Sequence, residues 1–475
     1  MEQTTNHAGT SEIDLSQARI ETTWSREEFA GIELGDQRLN GRFLTVAEAL
    51  AAHPQASINY ACEGWSATKA AYRVFKNAKM VPELVLFPHQ QRTCNRMADY
   101  PLILAVQETT LVDYTGHLVT QGIGPIGTTS QDIWGLVMHT TMAFTPAGLP
   151  VGILSQDIWA RDADPQGCSE SRTWRPIEEK ESDTWITALR ETAALTPEGV
   201  EVVTVGDREA DVYEVFQEAS TLQAKVLVRA THDRTLVEHG TLKPFMKRQP
   251  AAGRLTVEVP PRLNQPGRTA LVEVRQATVT LQPPSRPTTC DWHLTSLTVD
   301  VVWVHELHPP ADVNEPLDWL LLTNVPVSCF EEAVERVRWY KVRWQIEVWH
   351  KVLKSGCKVE TCQLESRDRL IRYLTVKSVI AWKLFWMVHL NRTQPDAPCT
   401  MILTTPEWHV LYVTIHKTLT LPEHVPTIRK ATRWIAQLGG FLGRKGDHEP
   451  GVTVLWRGWQ RLQDFVRVWR IIHQN

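Results

Sequence analysis

Residues 336–358 constrain this chain more than any other stretch. They read Arg336-Val-Arg-Trp-Tyr340-Lys-Val-Arg343-Trp-Gln-Ile-Glu347-Val-Trp-His-Lys351-Val-Leu-Lys354-Ser-Gly-Cys-Lys358, with neither proline nor glycine before Gly356. That run predicts a helix that stops at Gly356. At about 100° per residue, Trp339, Val342, Ile346, Trp349 and Leu353 share one apolar face, which predicts burial. Tyr340, Arg343, Glu347, Lys351 and Lys354 line a second face. Basic residues outnumber acidic ones seven to one in the stretch, and the single acid is Glu347. Two readings stand. One is a solvated basic helix with an i,i+4 pair between Glu347 and Lys351. The other is a polyanion-binding face with a built-in metal ligand.

The rest of the chain narrows the setting. With 475 residues there is room for two to four domains. The net charge of −4 argues against indiscriminate nucleic-acid binding. Charge is segregated, however: residues 232–290 hold nine Lys/Arg against four Asp/Glu. No apolar run reaches the length of a membrane span, and Val379–Leu390, interrupted by Lys383, predicts a core helix. The first residues lack the charged and apolar blocks of a signal peptide. The eight cysteines form no CxxC pair or Cys/His ligand set. These features lead us to expect a cytoplasmic protein with reduced thiols.

Read in order, residues 1–20 have the composition of a disordered arm. Trp24–Met80 reads as helices, with Ser25 as the expected first cap. Pro101–Val106 is an apolar strand expected to deliver Glu108 at its end. Ile133–Phe144 and Leu149–Trp159 form a predicted hairpin about Thr145-Pro-Ala-Gly148. Gly122–Gly127 matches GxGxxG, but no helix follows, which excludes a dinucleotide loop. Val202–Val205 is a second buried strand ending at Gly206-Asp207-Arg208-Glu209-Ala210-Asp211. There Asp207 is either a helix cap or an acid at a sheet edge. From about residue 233 to 315, short alternating strands lie between proline-rich turns. His305-Glu-Leu-His308 lacks HExxH spacing and reads as a strand end. Helices are expected over Arg369–Leu390, from Pro406, up to Gly439-Gly440, and over Val452–Ile472. The last has an apolar seam (Val452, Leu455, Trp459, Leu462, Val466, Trp469) that packs either a second chain or its own.

The spacing Tyr340-x2-Arg343-x3-Glu347-x6-Lys354 resembles the signature of the insertion-sequence-4 family of bacterial DDE transposases. Asp207-Arg-Glu-Ala-Asp211 resembles the family's second acidic motif, and Leu34-Gly-Asp36 through Ala71-Tyr-Arg73 its N-terminal domain. The resemblance implies an α/β, ribonuclease-H-like catalytic core with an inserted all-β subdomain, flanked by helical domains. Its implied divisions are residues 1–80 for transposon-end binding, 81–400 for catalysis with the insertion at about 232–316, and 401–475 for dimerisation.

The family chemistry implies catalytic, metal-holding carboxylates at Glu108, Asp207 and Glu347. It also implies two Mg²⁺ ions, with Mn²⁺ able to substitute, and DNA contacts by Arg42, Arg208, Arg229, Trp319, Tyr340, Arg343, Lys351 and Lys354. Carboxylates are the hard oxygen ligands that Mg²⁺ prefers, and paired metals suit in-line phosphodiester cleavage. A glycosidase also uses carboxylates, but has no use for a cationic face on the key helix. The implied partners are double-stranded DNA, at transposon ends and target, and a second copy of the chain. Cleavage through a hairpin would place a flipped base on Trp319. Three positions depart from the family: His53 replaces a tyrosine, Ala52 a lysine, and Glu108 an aspartate. The last keeps a second function open, that of a catalytically weakened relative which occupies transposon ends as an inhibitor.

Overall fold

The computed structural model describes residues 23–127, 132–162, 177–259, 267–284, 294–311, 313 and 315–473. The expected disordered arm, residues 1–20, lies outside them. Five helices come first: α1 (Trp24–Glu28), α2 (Gln37–Ala52), α3 (Ile58–Cys62), α4 (Trp65–Lys76) and α5 (Pro82–Met97). Thr23, not Ser25, occupies the N-cap of α1, and Ser25 is buried one position inside. Asp36 caps α2 by accepting from the amides of Arg38 and Leu39, and Ser57 caps α3.

Among the described residues, twelve strands form one sheet. β1 (Leu102–Asp113) pairs antiparallel with β3 (Trp134–Phe144), and β3 pairs with β4 (Pro150–Trp159). The β3–β4 turn closes at Thr145–Gly148, where Gly148 sits at φ +85°. β2 (Gly124–Pro125) is a short edge strand on β3, so the glycine-rich run builds sheet. On its other side β1 pairs in parallel with β5 (Glu201–Gly206), reached through α6 (Asp183–Leu195). After α7 (Tyr213–Leu222), β6 (Lys225–Arg229) pairs in parallel with β5.

The inserted region differs from expectation in two ways. It is not all β: after β7 (Thr235–Leu236) and β8 (Gly240–Thr241) comes a helix, α8 (Leu242–Arg248). Nor is it a separate β unit. β9 (Gly253–Val259), β10 (Arg268–Leu281) and β11 (Leu297–Glu306) join the core through β12 (Asp318–Thr323), which pairs with both β11 and β6. The physical reason is the free edge of β6, whose unpaired backbone groups are satisfied by β12.

The key helix begins earlier than its basic composition suggested. α9 spans Phe330–Val342, and Glu332 accepts from the Ser328 amide and hydroxyl just ahead of it, a capping arrangement. Its axis is interrupted at Arg343, where i→i+3 bonds replace the regular ladder. α10 (Trp344–Lys351) then opens into a π turn, Val352–Gly356. Trp339, Val342, Ile346, Trp349 and Leu353 are all buried, as their spacing predicts.

α11 (Arg367–Thr393) runs through the centre of the molecule, longer than expected at both ends. Its cations tie the N-terminal helices to the core. Arg372 donates to the carbonyls of Phe75 and Met80, and buried Lys377 donates to Pro54 at 2.8 Å. Lys383 is buried over Trp386, and burial pulls its amine down to about 8. Three helices end the chain: α12 (Thr405–His416), α13 (Ile428–Leu438) and α14 (Val452–His473). The cap of α12 is Thr404, with Glu407 completing a capping box and Pro406 in the first turn. α13 and α14 approach closely because both carry glycine at the crossing: a Cβ on Gly458 would lie 1.7 Å from the Ile435 carbonyl.

The seam on α14 packs within its own chain. Leu455, Trp459, Leu462 and Val466 are buried, and the Trp459 indole donates to the Ala51 carbonyl of α2. The face that remains outward carries Phe465, Val468, Ile471 and Ile472. Among the described residues no helix is long and apolar enough to cross a membrane, and Cys62, Cys94, Cys329, Cys357, Cys362 and Cys399 are unpaired.

Candidate active site and nucleic-acid interface

Glu108 does not end a strand. β1 continues to Asp113, and Glu108 lies in its middle, opposite Thr140 of β3. On the β5 side pairing stops at Val106↔Val205. Two residues on from that pair, Glu108 lies within β1 and Asp207 lies just past Gly206, the last residue of β5 (108 − 106 = 207 − 205). The two acids therefore occupy neighbouring positions where β5 ends and β1 carries on, the kind of edge where α/β sheets bind ligands. Asp207 also serves as a cap, accepting from the Glu209 amide at 2.8 Å. The two sequence readings of Asp207 are compatible, because that bond engages one carboxylate oxygen.

Glu347 approaches from α10. It pairs with Arg343 one turn earlier at 2.7 Å, not with the expected Lys351. Arg343 reaches across to Glu108 with its other nitrogen, so one guanidinium bridges two of the three acids. Burial works against the Arg343 charge, but Tyr340, Glu108 and Glu347 outweigh it and hold the guanidinium above its ordinary range. Burial, joined by the like charges of Asp207, Glu347 and Glu209, outweighs the pull of Arg343 and pushes the Glu108 carboxyl up to about 8. Behind the acids, His139 and His350 are buried and drawn down by burial to about 3, so they add no positive charge.

This donor set fits divalent cations by its chemistry: three hard oxygen donors lie near enough for Asp207 and Glu347 to help burial keep Glu108 protonated, a repulsion that a divalent cation would relieve. It is not a preformed cage. Among the described residues no three carboxylate, imidazole or thiol groups are drawn together tightly enough to hold an ion, and Arg343 lies between Glu108 and Glu347.

The candidate DNA residues do not form one cluster. Trp319 and Tyr340 meet edge to face at 5.1 Å, and Tyr340 is buried. Arg229 reaches the Asp318 carbonyl beside them, and burial lowers its charge affinity. Together with Arg343 and Trp344 they line a cleft of about 580 Å³ that also borders β9. Trp344 was missed by sequence reasoning; its place four residues after Tyr340 in the same motif was the available signal. Arg208 is exposed beside Asp207. Lys354 sits on the π turn and donates to the Leu111 carbonyl of β1, and burial lowers its amine. Lys351 points outward at the end of α10, and Arg42 is exposed on α2, in a separate helical unit.

Comparison with known families finds three matches in succession. A family model described as transposase DNA-binding matches residues 21–80, transposase DDE domain matches 178–382, and transposase Tn5 dimerisation domain matches 379–474. The DDE match spans Asp207 and Glu347 and begins after Glu108. Among solved structures, a cryo-EM structure of a piggyBac transposase synaptic complex with hairpin DNA is similar at 8% identity and a TM-score of 0.35, over 94% of this chain and 77% of that one.

Proposed function

The chain belongs to the Tn5-like DDE transposases and acts in DNA transposition; from that premise we propose that it is a cut-and-paste enzyme that cleaves transposon ends through a DNA hairpin. The reading divides it at residues 1–80, 81–400 and 401–475, with helical end-binding and dimerisation units around a ribonuclease-H-like core. The sheet supports that core: three antiparallel strands, β4, β3 and β1, are extended by parallel β5 and β6.

One observation carries the chemistry: Glu108 feels the charges of Asp207, just past the end of β5, and of Glu347, and Arg343 ties Glu347 to Glu108. Two Mg²⁺ ions held by Glu108, Asp207 and Glu347, with Mn²⁺ as substitute, would activate the attacking oxygen and stabilise the leaving one. Arg343 holds Glu108 and Glu347 until a phosphate draws the guanidinium away, since phosphate matches its fork as well as carboxylate does. Trp319 receives the flipped base in the cleft bounded by Arg229, Tyr340 and Trp344, and Arg208, Lys351 and Lys354 meet the flanking phosphates. The enzyme works as a homodimer on paired ends, with the outward stripe of α14 as the surface left for a partner.

The test is Mg²⁺-dependent cleavage of the element's own end. Asp207→Ala and Glu347→Ala lose at least about a thousandfold in cleavage while end binding stays within a few-fold. Trp319→Ala keeps first-strand nicking and loses hairpin formation. Wild-type protein that binds ends but never nicks them would establish the inhibitor instead.

A further inference from the structure

α3 and α4 are joined by Glu63 in the left-handed region (φ 55°) and an extended Gly64, so Trp65 becomes the first residue of α4. Its indole is 81% exposed, and Tyr60 on α3 is 57% exposed. Trp65, Lys69 and Tyr72 follow at i, i+4 and i+7 along one face of α4, while Thr68, Ala71, Val74 and Phe75 bury the other. The Tyr72 hydroxyl donates to the Asn59 side chain at 3.1 Å and bridges the two helices. Between them runs a groove of about 500 Å³ lined by Asn59, Gly64, Trp65, Thr68, Lys69 and Tyr72.

The charge around this groove has one sign. α4 contains no acid, and Lys69, Arg73 and Lys76 are all exposed. The carboxylate that precedes the groove in sequence, Glu63, is engaged by Arg467 and His53. Aromatic faces set among cations suit a polymer of bases and phosphates: cations hold the backbone, and an apolar ring meets base or sugar edges. A second copy docked symmetrically on the same face would press Lys69 and Arg73 against their own counterparts.

We propose that this aromatic face is where the protein reads its transposon end, with Trp65 making the base contact that carries sequence preference and Lys69 and Arg73 gripping the adjacent phosphates. The inference rests on assigning residues 1–80 to end binding. None of these residues belongs to the candidate active site.

The experiment uses full-length protein and duplexes tiled across the DNA that flanks its coding sequence, with scrambled duplexes of equal composition as reference. Binding is measured at several salt concentrations. Trp65→Ala should weaken the preferred duplex about tenfold, leave scrambled duplex within about twofold, and keep the slope of log affinity against log salt. Lys69→Ala should weaken both duplexes in parallel and reduce that slope by about one. Truncating so exposed a ring leaves the core intact, which an unchanged thermal midpoint verifies. The inference is overturned if Trp65→Ala binds like wild type, or weakens both duplexes equally, or lowers self-association with no effect on DNA. Wild-type protein that cannot tell flanking duplex from scrambled would overturn the end-binding assignment itself, and this inference with it.

Discussion

Glu28 and Glu108 are two carboxylates placed against an arginine in comparable burial, with side chains 9% and 13% exposed. Their protonation runs in opposite directions. Burial raises Glu28, but His89 at 2.6 Å and a two-pronged Arg96 outweigh it and bring the group down to about 2. Burial raises Glu108 too, and there one arginine is shared with Glu347 while Asp207 and Glu209 add like charge, so the group rises to about 8. The first site joins α1 to α5 and is complete as it stands. The second crowds carboxyl groups that do not all ionise together, the imbalance that a bound divalent cation would relieve.

Neutralising Glu28 should break the first half of this contrast. Glu28→Gln leaves buried His89 and part-buried Arg96 without their carboxylate partner and should cost about 2 kcal/mol, read as a lower denaturant midpoint. The pH dependence has a definite sign. A depressed carboxylate stabilises above its unfolded value, near 4.5, and loses that contribution as pH falls toward about 2. Wild type and variant should therefore converge across that window. A constant gap through it would show that Glu28 acts by packing alone.

The second half predicts the reverse. Glu108 is raised, so the folded chain holds a proton that the unfolded chain releases between 4.5 and about 8. Stability contributed by this group falls as pH rises through that range. Glu108→Gln should stabilise the metal-free protein on the order of 2 kcal/mol near pH 8 and little near pH 5. Unfolding midpoints at the two pH values check it. Destabilisation at the higher pH would mean that the Arg343 pair outweighs the repulsion.

The same contrast explains what was legible beforehand. Strands β1, β3, β4 and β5 and the buried face of α9 and α10 were readable because each carries an apolar period that the core honours. Asp207 and Glu347 stood out by motif spacing, and the DDE match spans both. The Glu28–His89–Arg96 network was not, because its members are 61 and 68 residues apart and no period links them. The joining of β12 to β6 was hidden for a related reason: strand alternation reveals a face and says nothing about which edge it will meet. The seam of α14 was ambiguous in principle. An apolar stripe looks the same whether it meets α2 and α13 of its own chain or a partner.

The finest test of the contrast is the length of the Glu108 side chain. By the resemblance Glu108 stands where the family has an aspartate, and its carboxylate would then lie one methylene further from β1, over an ångström. That reach lets it contact Arg343 across the site. Shortening it should have two effects. The carboxylate retreats toward β1, away from Arg343, and would then be free to share a divalent cation with Asp207. Arg343 keeps only Glu347 and becomes easier to draw toward a phosphate. Mg²⁺ demands near-ideal octahedral geometry, so it should suffer more than Mn²⁺ from a displaced ligand. We therefore expect wild type to be a weak or Mn²⁺-favouring nuclease and Glu108→Asp to raise Mg²⁺-dependent cleavage about fivefold, close to 1 kcal/mol in the barrier. The Mn²⁺-to-Mg²⁺ rate ratio should fall at the same time. A vigorous wild type that loses activity on shortening would show that the strand already compensates for glutamate. Unchanged cleavage in Glu108→Ala would remove the residue from the site, and with it the reason for its raised carboxyl.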